Sequence, residues 1–310
     1  MMKKTLHVTN GDSLNDRLLT MKIEGDYAVW REMLCEGKTI VDLTSSAFKK
    51  TRVDFFKNNY PDQAGGYDEK FGSQLAIIAD AHQYEEIVLW FEYDLYCHIN
   101  MLACISFIKS RGYKGNVYLV CSGRVSGEKD LFALSQLSEM QLLSHYNDKV
   151  LLNNHDLFIA DDLWRLYCGK DPLELDPKRA KDSNFTYLSN CISAHKERFP
   201  SAITGLNTLE TNMLRLIRKY DIKTPHQLCG YMLNYQGYYG YGDIQIKKMI
   251  TRMSPFFTDT EGRLTLTEKA NNILDNSYNV FKEMKYPCTL GGASKYEYVY
   301  NNDNHQLTKA

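Results

Sequence analysis

Apolar positions in the first 125 residues fall into short unbroken runs, each closed by a polar turn and followed by helical spacing. Leu6-His7-Val8-Thr9 leads into Asn10-Gly11-Asp12-Ser13, then apolar positions at Leu14, Leu18 and Leu19; this order predicts a strand, a tight loop and the start of a helix. Tyr27-Ala28-Val29-Trp30 predicts a second strand running into Arg31 and Glu32. Two helical stretches follow. One is capped by Ser45 or Ser46 and carries Phe48, Phe55 and Phe56; the other covers residues 67–83, with Leu75, Ile78 and Ala79. The link between them, residues 58–66, is a loop. Glu86-Ile87-Val88-Leu89-Trp90-Phe91 is the clearest strand and ends in Glu92-Tyr93-Asp94. An apolar helix is expected from Leu95 to about Lys109, and a further strand over residues 116–121 closes on Ser122-Gly123-Arg124. Strand, helix and strand in alternation predict right-handed crossovers and a parallel sheet, and continuous apolar strands predict cover on both faces.

From residue 128 to about 195 the spacing is wholly helical. Leu131, Leu134, Leu137 and Leu142 suggest one helix, and Leu157, Leu163, Trp164 and Tyr167 another. A third spans residues 185–195. Asn207 and Glu210 have the spacing of a capping box, opening a helix with Leu209, Met213, Leu214 and Ile217. A helix follows Thr224-Pro225, a third runs from Asp243 to about Met253, and residues 256–267 predict a hairpin turning at Glu261-Gly262 before a last helix. The tail, with Gly291-Gly292 and the run Tyr296-Glu297-Tyr298-Val299-Tyr300, predicts a final hairpin. The expected architecture is α/β: a Rossmann-like parallel-sheet domain (1–126), a helical connector (127–200) and a C-terminal winged-helix-like unit with a terminal β-hairpin (201–310).

The 310 residues carry a net charge of −1, which argues against a bulk electrostatic partner such as non-specifically bound nucleic acid or an anionic membrane. None of the eight cysteines forms a C-x-x-C pair, which excludes zinc-ribbon and thioredoxin-type sites, and most lie in apolar patterns as buried reduced thiols do. The start, Met1-Met2-Lys3-Lys4, is basic, but no long apolar run follows, so no leader peptide or membrane span is expected. A reducing cytoplasm is the expected setting.

If the strands are parallel, the loops that follow them meet at the carboxyl edge of the sheet, where α/β proteins bind ligands. There Asn10, Gly11 and Ser13 offer backbone and hydroxyl groups at a helix N-terminus, a site suited to an anion. Asp12 would repel a bare phosphate and is better placed to accept a ribose hydroxyl or to hold a bridging cation; alternatively Asp12 or Ser13 only caps the helix. Asp12, Glu92 and Asp94 are the candidate catalytic carboxylates, and Asp12 and Asp94 the candidate ligands for Mg²⁺ or Mn²⁺. Arg31 and Glu32 end the second strand on the same edge, Arg31 being suited to a phosphate or to neutralising the acids. Against this, Asp94 caps the next helix and Arg31 pairs with Glu92 as scaffold. Ser122 lacks the context of a hydrolase elbow and is a candidate ligand contact. In the C-terminal unit Lys248, Arg252 and Arg263 are candidate DNA contacts. Residues 201–310 hold thirteen lysines and arginines against ten aspartates and glutamates, a small positive excess for a DNA binder. Five tyrosines between positions 231 and 241, interleaved with glycines, either stack on a ligand ring or pack as a stiff turn.

Three motifs, His7-Val8-x-Asn10-Gly11-Asp12-Ser13, Trp30-Arg31-Glu32-x-Leu34-x-Glu36-Gly37 and Leu89-Trp90-Phe91-Glu92-x-Asp94-Leu95, together resemble a bacterial family known only as domain of unknown function 1835. Arg198-Phe199-Pro200, Gly205-Leu206, Glu210 and Gly291-Gly292 resemble that family's C-terminal region. The chain departs from the pattern at Gly37-Lys38, where Gly-Pro is usual, and at Cys97-His98, where an acidic residue and Gln are expected. The resemblance implies the fold and no activity. From the residues, the expected function is binding of a nucleotide or other phosphorylated small molecule at the sheet edge, with metal-dependent phosphoester hydrolysis there. The alternatives are a ligand-responsive DNA-binding regulator or an interaction scaffold.

Overall fold

The structure is a computed structural model that describes residues 4–310; Met1, Met2 and Lys3, part of the segment read as lacking a leader, lie outside the described residues. In chain order the first part comprises β1 (Thr5–Thr9), α1 (Asp12–Thr20), β2 (Asp26–Val29), β3 (Gly37–Lys38), α2 (Ser46–Asn59), α3 (Ser73–Ala79), β4 (Glu86–Phe91), α4 (Leu95–Ser110) and β5 (Asn116–Cys121). Next come β6 (Gly123–Arg124), β7 (Leu131–Phe132), α5 (Glu139–Asn147), β8 (Val150–Leu151), α6 (Asn154–Cys168) and α7 (Leu188–Lys196). The last part holds α8 (Thr208–Lys219), α9 (Pro225–Tyr235), α10 (Asp243–Met253), β9 (Phe257–Thr260), β10 (Arg263–Leu266), α11 (Glu268–Leu274) and α12 (Phe281–Met284). It ends with β11 (Thr289–Gly291), β12 (Ala293–Ser294), β13 (Tyr298–Asn301) and β14 (Gln306–Lys309).

The main sheet has the order β2-β1-β4-β5-β8; the first four strands are parallel, with Val8 level with Ala28 and Leu89, and β8 is antiparallel to β5. Every residue of β1 and β4 is buried, the polar Thr5, His7 and Thr9 of β1 included. Helices cover both faces. One face packs Leu6, Leu89 and Phe91 against α3, α4 and α6; the other packs Val88, Trp90 and Val120 against Leu14 and Leu18 of α1 and Leu142 of α5. α4 is apolar all round and almost wholly buried, because α6 and α7 enclose its outer side.

Three local expectations need correction. The helix expected over residues 67–83 breaks into a wide π-type turn at Asp68–Gly72, then α3, then a tight turn at Ala81–Gln83. The helix expected around Leu131–Leu142 starts only at α5, since Leu131 and Phe132 pair with Gly123 and Arg124. The stretch expected to be wholly helical also contributes β8, so the connector supplies an edge strand to the sheet.

In the last part the Asn207–Glu210 capping box closes reciprocally, and β9 and β10 turn at Glu261-Gly262, both at positive φ. The Leu264 amide donates to the Ile222 carbonyl and ties this hairpin to the turn after α8. The tail forms two hairpins rather than one, β11-β12 and β13-β14, and β11 pairs in parallel with β3, returning the chain end to the N-terminal part. All eight cysteines are unpaired. No helix among the described residues is long and apolar enough to cross a membrane.

Candidate functional site

The neighbouring strands β1 and β4 send their connections to opposite sides, β1 through α1 to β2 and β4 through α4 to β5, so a crevice opens at the carboxyl ends. Gly11 sits there at φ 110°, a conformation L side chains rarely adopt, with open space where a Cβ would project. It is the N-cap of α1, and no side chain caps this helix. The capping role weighed for Asp12 and Ser13 is therefore not what these residues do. Ser13 is exposed. The first amides of α1 are left to water or to a ligand, with the positive end of the helix dipole behind them.

Asp12 instead faces Arg31. Arg31 Nε donates to both carboxylate oxygens at 2.9 and 3.0 Å and Nη2 to Oδ1 at 2.6 Å, while Nη1 donates to the Lys70 carbonyl at 3.1 Å. The expected alternative partner, Glu92, is not bonded to Arg31; Glu92 accepts from Ser135 N at 3.2 Å and Oγ at 3.4 Å. Asn10, Gly11, Asp12, Trp30, Arg31 and Glu32, with Met33, Phe56, Gln63 and Tyr96, line a hollow of about 230 Å³. Trp30 is buried and its indole N–H has no acceptor among the described residues.

Two of the expected ligand contacts serve the scaffold. The Asn10 amide is held at both ends by α4: its Nδ2 donates to Cys97 Sγ at 3.0 Å and its Oδ1 accepts from Asn100 at 3.0 Å. Asn100 also donates to the Glu32 carbonyl at 2.7 Å, so the loop after β2 is tied to the same helix. Glu32 is fully buried against Arg52, which donates from Nε at 2.9 Å and Nη2 at 2.8 Å. Tyr67 and the Met33 amide complete the shell of that carboxylate. Its oxygens are turned away from any ligand in the hollow, which corrects the role expected for Glu32.

Asp94 is the N-cap of α4, accepting from Cys97 N at 2.8 Å, as its structural alternative held. Backbone from the C-terminal part seals it: Tyr238 O and Tyr239 O accept from the amides of Leu95 and Tyr96, and Gly240 lies so close that a Cβ would meet the Asp94 carboxyl carbon at 2.1 Å. Burial pushes the Asp94 carboxyl up, and burial with the neighbouring Asp94 charge pushes Glu92 up to about 7. Burial also raises the Cys97 thiol well above its ordinary value and lowers His98 to about 4. Glu92, Asp94 and Cys97 are the one set among the described residues whose carboxylate and thiol atoms lie within 4.8 Å of one another. Asp12 is not part of it, so the expected Asp12–Asp94 metal pair is corrected. A thiol is a soft ligand, and Asp94 already accepts from the Cys97 amide, so the set does not match the all-oxygen shell that Mg²⁺ or Mn²⁺ takes. Ser122 is buried, its hydroxyl without a partner.

The candidate DNA contacts each have a partner within the chain, although Lys248 and Arg263 are exposed and Arg252 is half-buried. Lys248 donates to Asn59 Oδ1 at 2.6 Å and lies over the Tyr60 ring. Arg252 pairs with the buried Glu210 at 2.9 Å and donates to Tyr296 at 2.8 Å and to Tyr286. Arg263 is exposed but paired with Asp221 at 3.3 Å. The tyrosine-rich turn is packed: Tyr239 and Tyr241 are buried, and Tyr239 donates to Glu197. Two buried arginines were given no role from the sequence, Arg52 and, beyond its place in the Arg198-Phe199-Pro200 motif, Arg198, because nothing local marks a cation whose partners lie elsewhere in the chain. No protein-family model matches the chain, and no curated protein matches it significantly.

Proposed function

We propose that the chain binds a phosphorylated small molecule, of the nucleotide class, with its phosphate on the uncapped N-terminus of α1. The observation that carries this is the Asp12–Arg31 pair beside that terminus. Asp12, the one acidic group in the first turn, has its charge offset by a guanidinium, so the free amides present a net attractive field to an anion. The hollow of about 230 Å³ accommodates a phosphate and the group next to it. The strand order supports a Rossmann-like description, in which the crevice beside the first strand is the ligand position. The three N-terminal motifs that resemble the domain of unknown function 1835 family lie on this edge. No hydrolytic step is included, since the carboxylates that would share a metal have other partners. Eight unpaired cysteines suit a reducing, cytoplasmic setting.

Three helices, a hairpin and a strand-like Ile222–Leu264 contact support a winged-helix-like description of the C-terminal unit. Its α10 packs on the N-terminal part through Lys248 and through Gln245, whose amide approaches Met33 Sδ. Intramolecular packing is therefore better supported for it than DNA binding.

The test is a thermal-shift panel of nucleoside mono-, di- and triphosphates, with unphosphorylated nucleosides as controls. Stabilisation by phosphorylated members only, weakened about tenfold or more in Arg31→Ala, is expected. No shift with any phosphorylated compound overturns the proposal.

A further inference from the structure

A cavity of about 620 Å³, separate from the sheet-edge hollow, lies between the β3 strand, α10 and the segment around β11. Arg198 forms part of its wall and is 2% exposed. Its Nη1 donates to the Cys35 carbonyl and, at 3.4 Å, to the Tyr241 hydroxyl; its Nη2 donates to His195 Nδ1. None of these partners is a carboxylate, and Nε has no partner among the described residues. A guanidinium stays protonated at any physiological pH, so this is a buried cation without a counter-charge from the described residues. Such a group is costly unless something else neutralises it.

The same cavity holds a second excess of positive charge. Glu210, 3% exposed, is shared by Arg252 at 2.9 Å and by Lys295, itself 4% exposed, at 3.6 Å. Counting Arg198, four side chains carry one negative and three positive charges. The rim does not cancel this, because Lys38 and Lys248 there balance Glu36 and Asp54. We infer that this cavity is a binding site for a small organic dianion, whose two charged oxygens meet Arg198 on one side and the Arg252–Lys295 pair on the other. The volume is that of sites for whole metabolites, and tyrosines 241 and 286 on its wall supply flat contact surface. The chemistry required is two oxyanionic charges on one small molecule, provided by a phosphate monoester or by a dicarboxylate.

The experiment uses the full chain carrying Arg31→Ala, which weakens phosphate binding at the sheet-edge hollow, with inorganic phosphate and succinate as probes at 10 mM, compared with chloride at equal ionic strength. At least one probe is expected to raise the melting temperature by about 4 °C. The further substitution Arg252→Gln is expected to weaken that probe about tenfold or more. Response to phosphate alone identifies a phosphate source, and response to succinate alone a dicarboxylate source. No response to either probe overturns the inference, as does a response that Arg252→Gln leaves unchanged. Because Arg252→Gln also frees Glu210, hydrogen exchange on the Arg31→Ala chain provides an independent reading. Added probe should protect amides in residues 195–198, 249–253 and 286–295, and protection confined to other segments also overturns the inference.

Discussion

Arg31 grips Asp12 through two nitrogens, Nε at 2.9 Å and Nη2 at 2.6 Å from Oδ1, across the mouth of the crevice beside β1. The Asp12 side chain is 59% exposed and that of Arg31 30%, so the pair is open to water and adds little to stability. Its consequence is electrostatic: it decides whether an anion arriving at α1 meets a carboxylate or a neutralised pair.

The two halves of the pair should therefore respond in opposite directions. Asp12→Asn removes the charge that opposes a phosphate and leaves Arg31 available, so affinity for a nucleoside phosphate should rise. Arg31→Ala leaves Asp12 unopposed, so affinity should fall about tenfold or more. Neither change should alter the urea midpoint by more than about 1 kcal/mol in stability. Calorimetric titration of the two variants checks both statements. A loss of affinity in Asp12→Asn would instead mean that the carboxylate itself contacts the ligand.

Glu32 and Arg52 form the opposite kind of pair, with both side chains fully buried. Arg52 also donates to the carbonyls of Met33, Glu36 and Lys38, so it clamps the whole loop between β2 and β3. Replacing it with methionine leaves the buried Glu32 carboxylate without its counter-charge, with only Tyr67 and the Met33 amide still donating to it, and takes a donor from three carbonyls. Arg52→Met should cost about 3–5 kcal/mol, read from urea denaturation. A cost below about 1 kcal/mol would show that the loop does not depend on the clamp.

The parallel strands were legible because β4 is an unbroken apolar run after Glu86, and because Leu6 and Val8 of β1 lead into a polar turn. β8 was not, since Val150 and Leu151 are two exposed residues whose strand identity comes only from pairing with Leu119 and Tyr118. The same division holds at the site. Gly11, Asp12 and Arg31 could be placed on one edge because each directly follows a strand. That Glu32 turns inward to Arg52, and that Asp94 lies under Gly240, depends on segments distant in sequence, which no local spacing reports. The expected Asp12–Asp94 pairing failed because each carboxylate has a nearer partner, Arg31 for Asp12 and, for Asp94, the Cys97 amide of the local cap that its own spacing offered.

Gly240 links the C-terminal part to the sheet edge. It has φ 68°, and a methyl group there would run into the Asp94 carboxyl. Gly240→Ala should therefore displace the turn that accepts from the Leu95 and Tyr96 amides, at a cost of about 1–3 kcal/mol. Hydrogen exchange should quicken at Leu95 and Tyr96 while the amides of β1 and β4 keep their protection.

Glu92 gives the fold a pH dependence of definite sign. Its carboxyl is pushed up to about 7 by burial and by Asp94, whereas in the unfolded chain it titrates in the ordinary carboxylate range. Between roughly pH 4.5 and 7 the folded state therefore holds a proton that the unfolded state has released. Its contribution is fully present below the unfolded value and is lost as pH rises through about 7, by up to about 3 kcal/mol. His98, lowered to about 4, acts in the other direction, because the unfolded state takes up a proton below about 6.5 that the buried imidazole does not. The difference between wild type and Glu92→Gln isolates the carboxyl. Glutamine keeps an oxygen for the Ser135 donors and cannot ionise, so the variant should gain stability over the wild type as pH rises from 5 to 8. Urea midpoints at pH 5, 6, 7 and 8 measure this, and parallel profiles for the two proteins would show that Glu92 ionises normally in the folded chain.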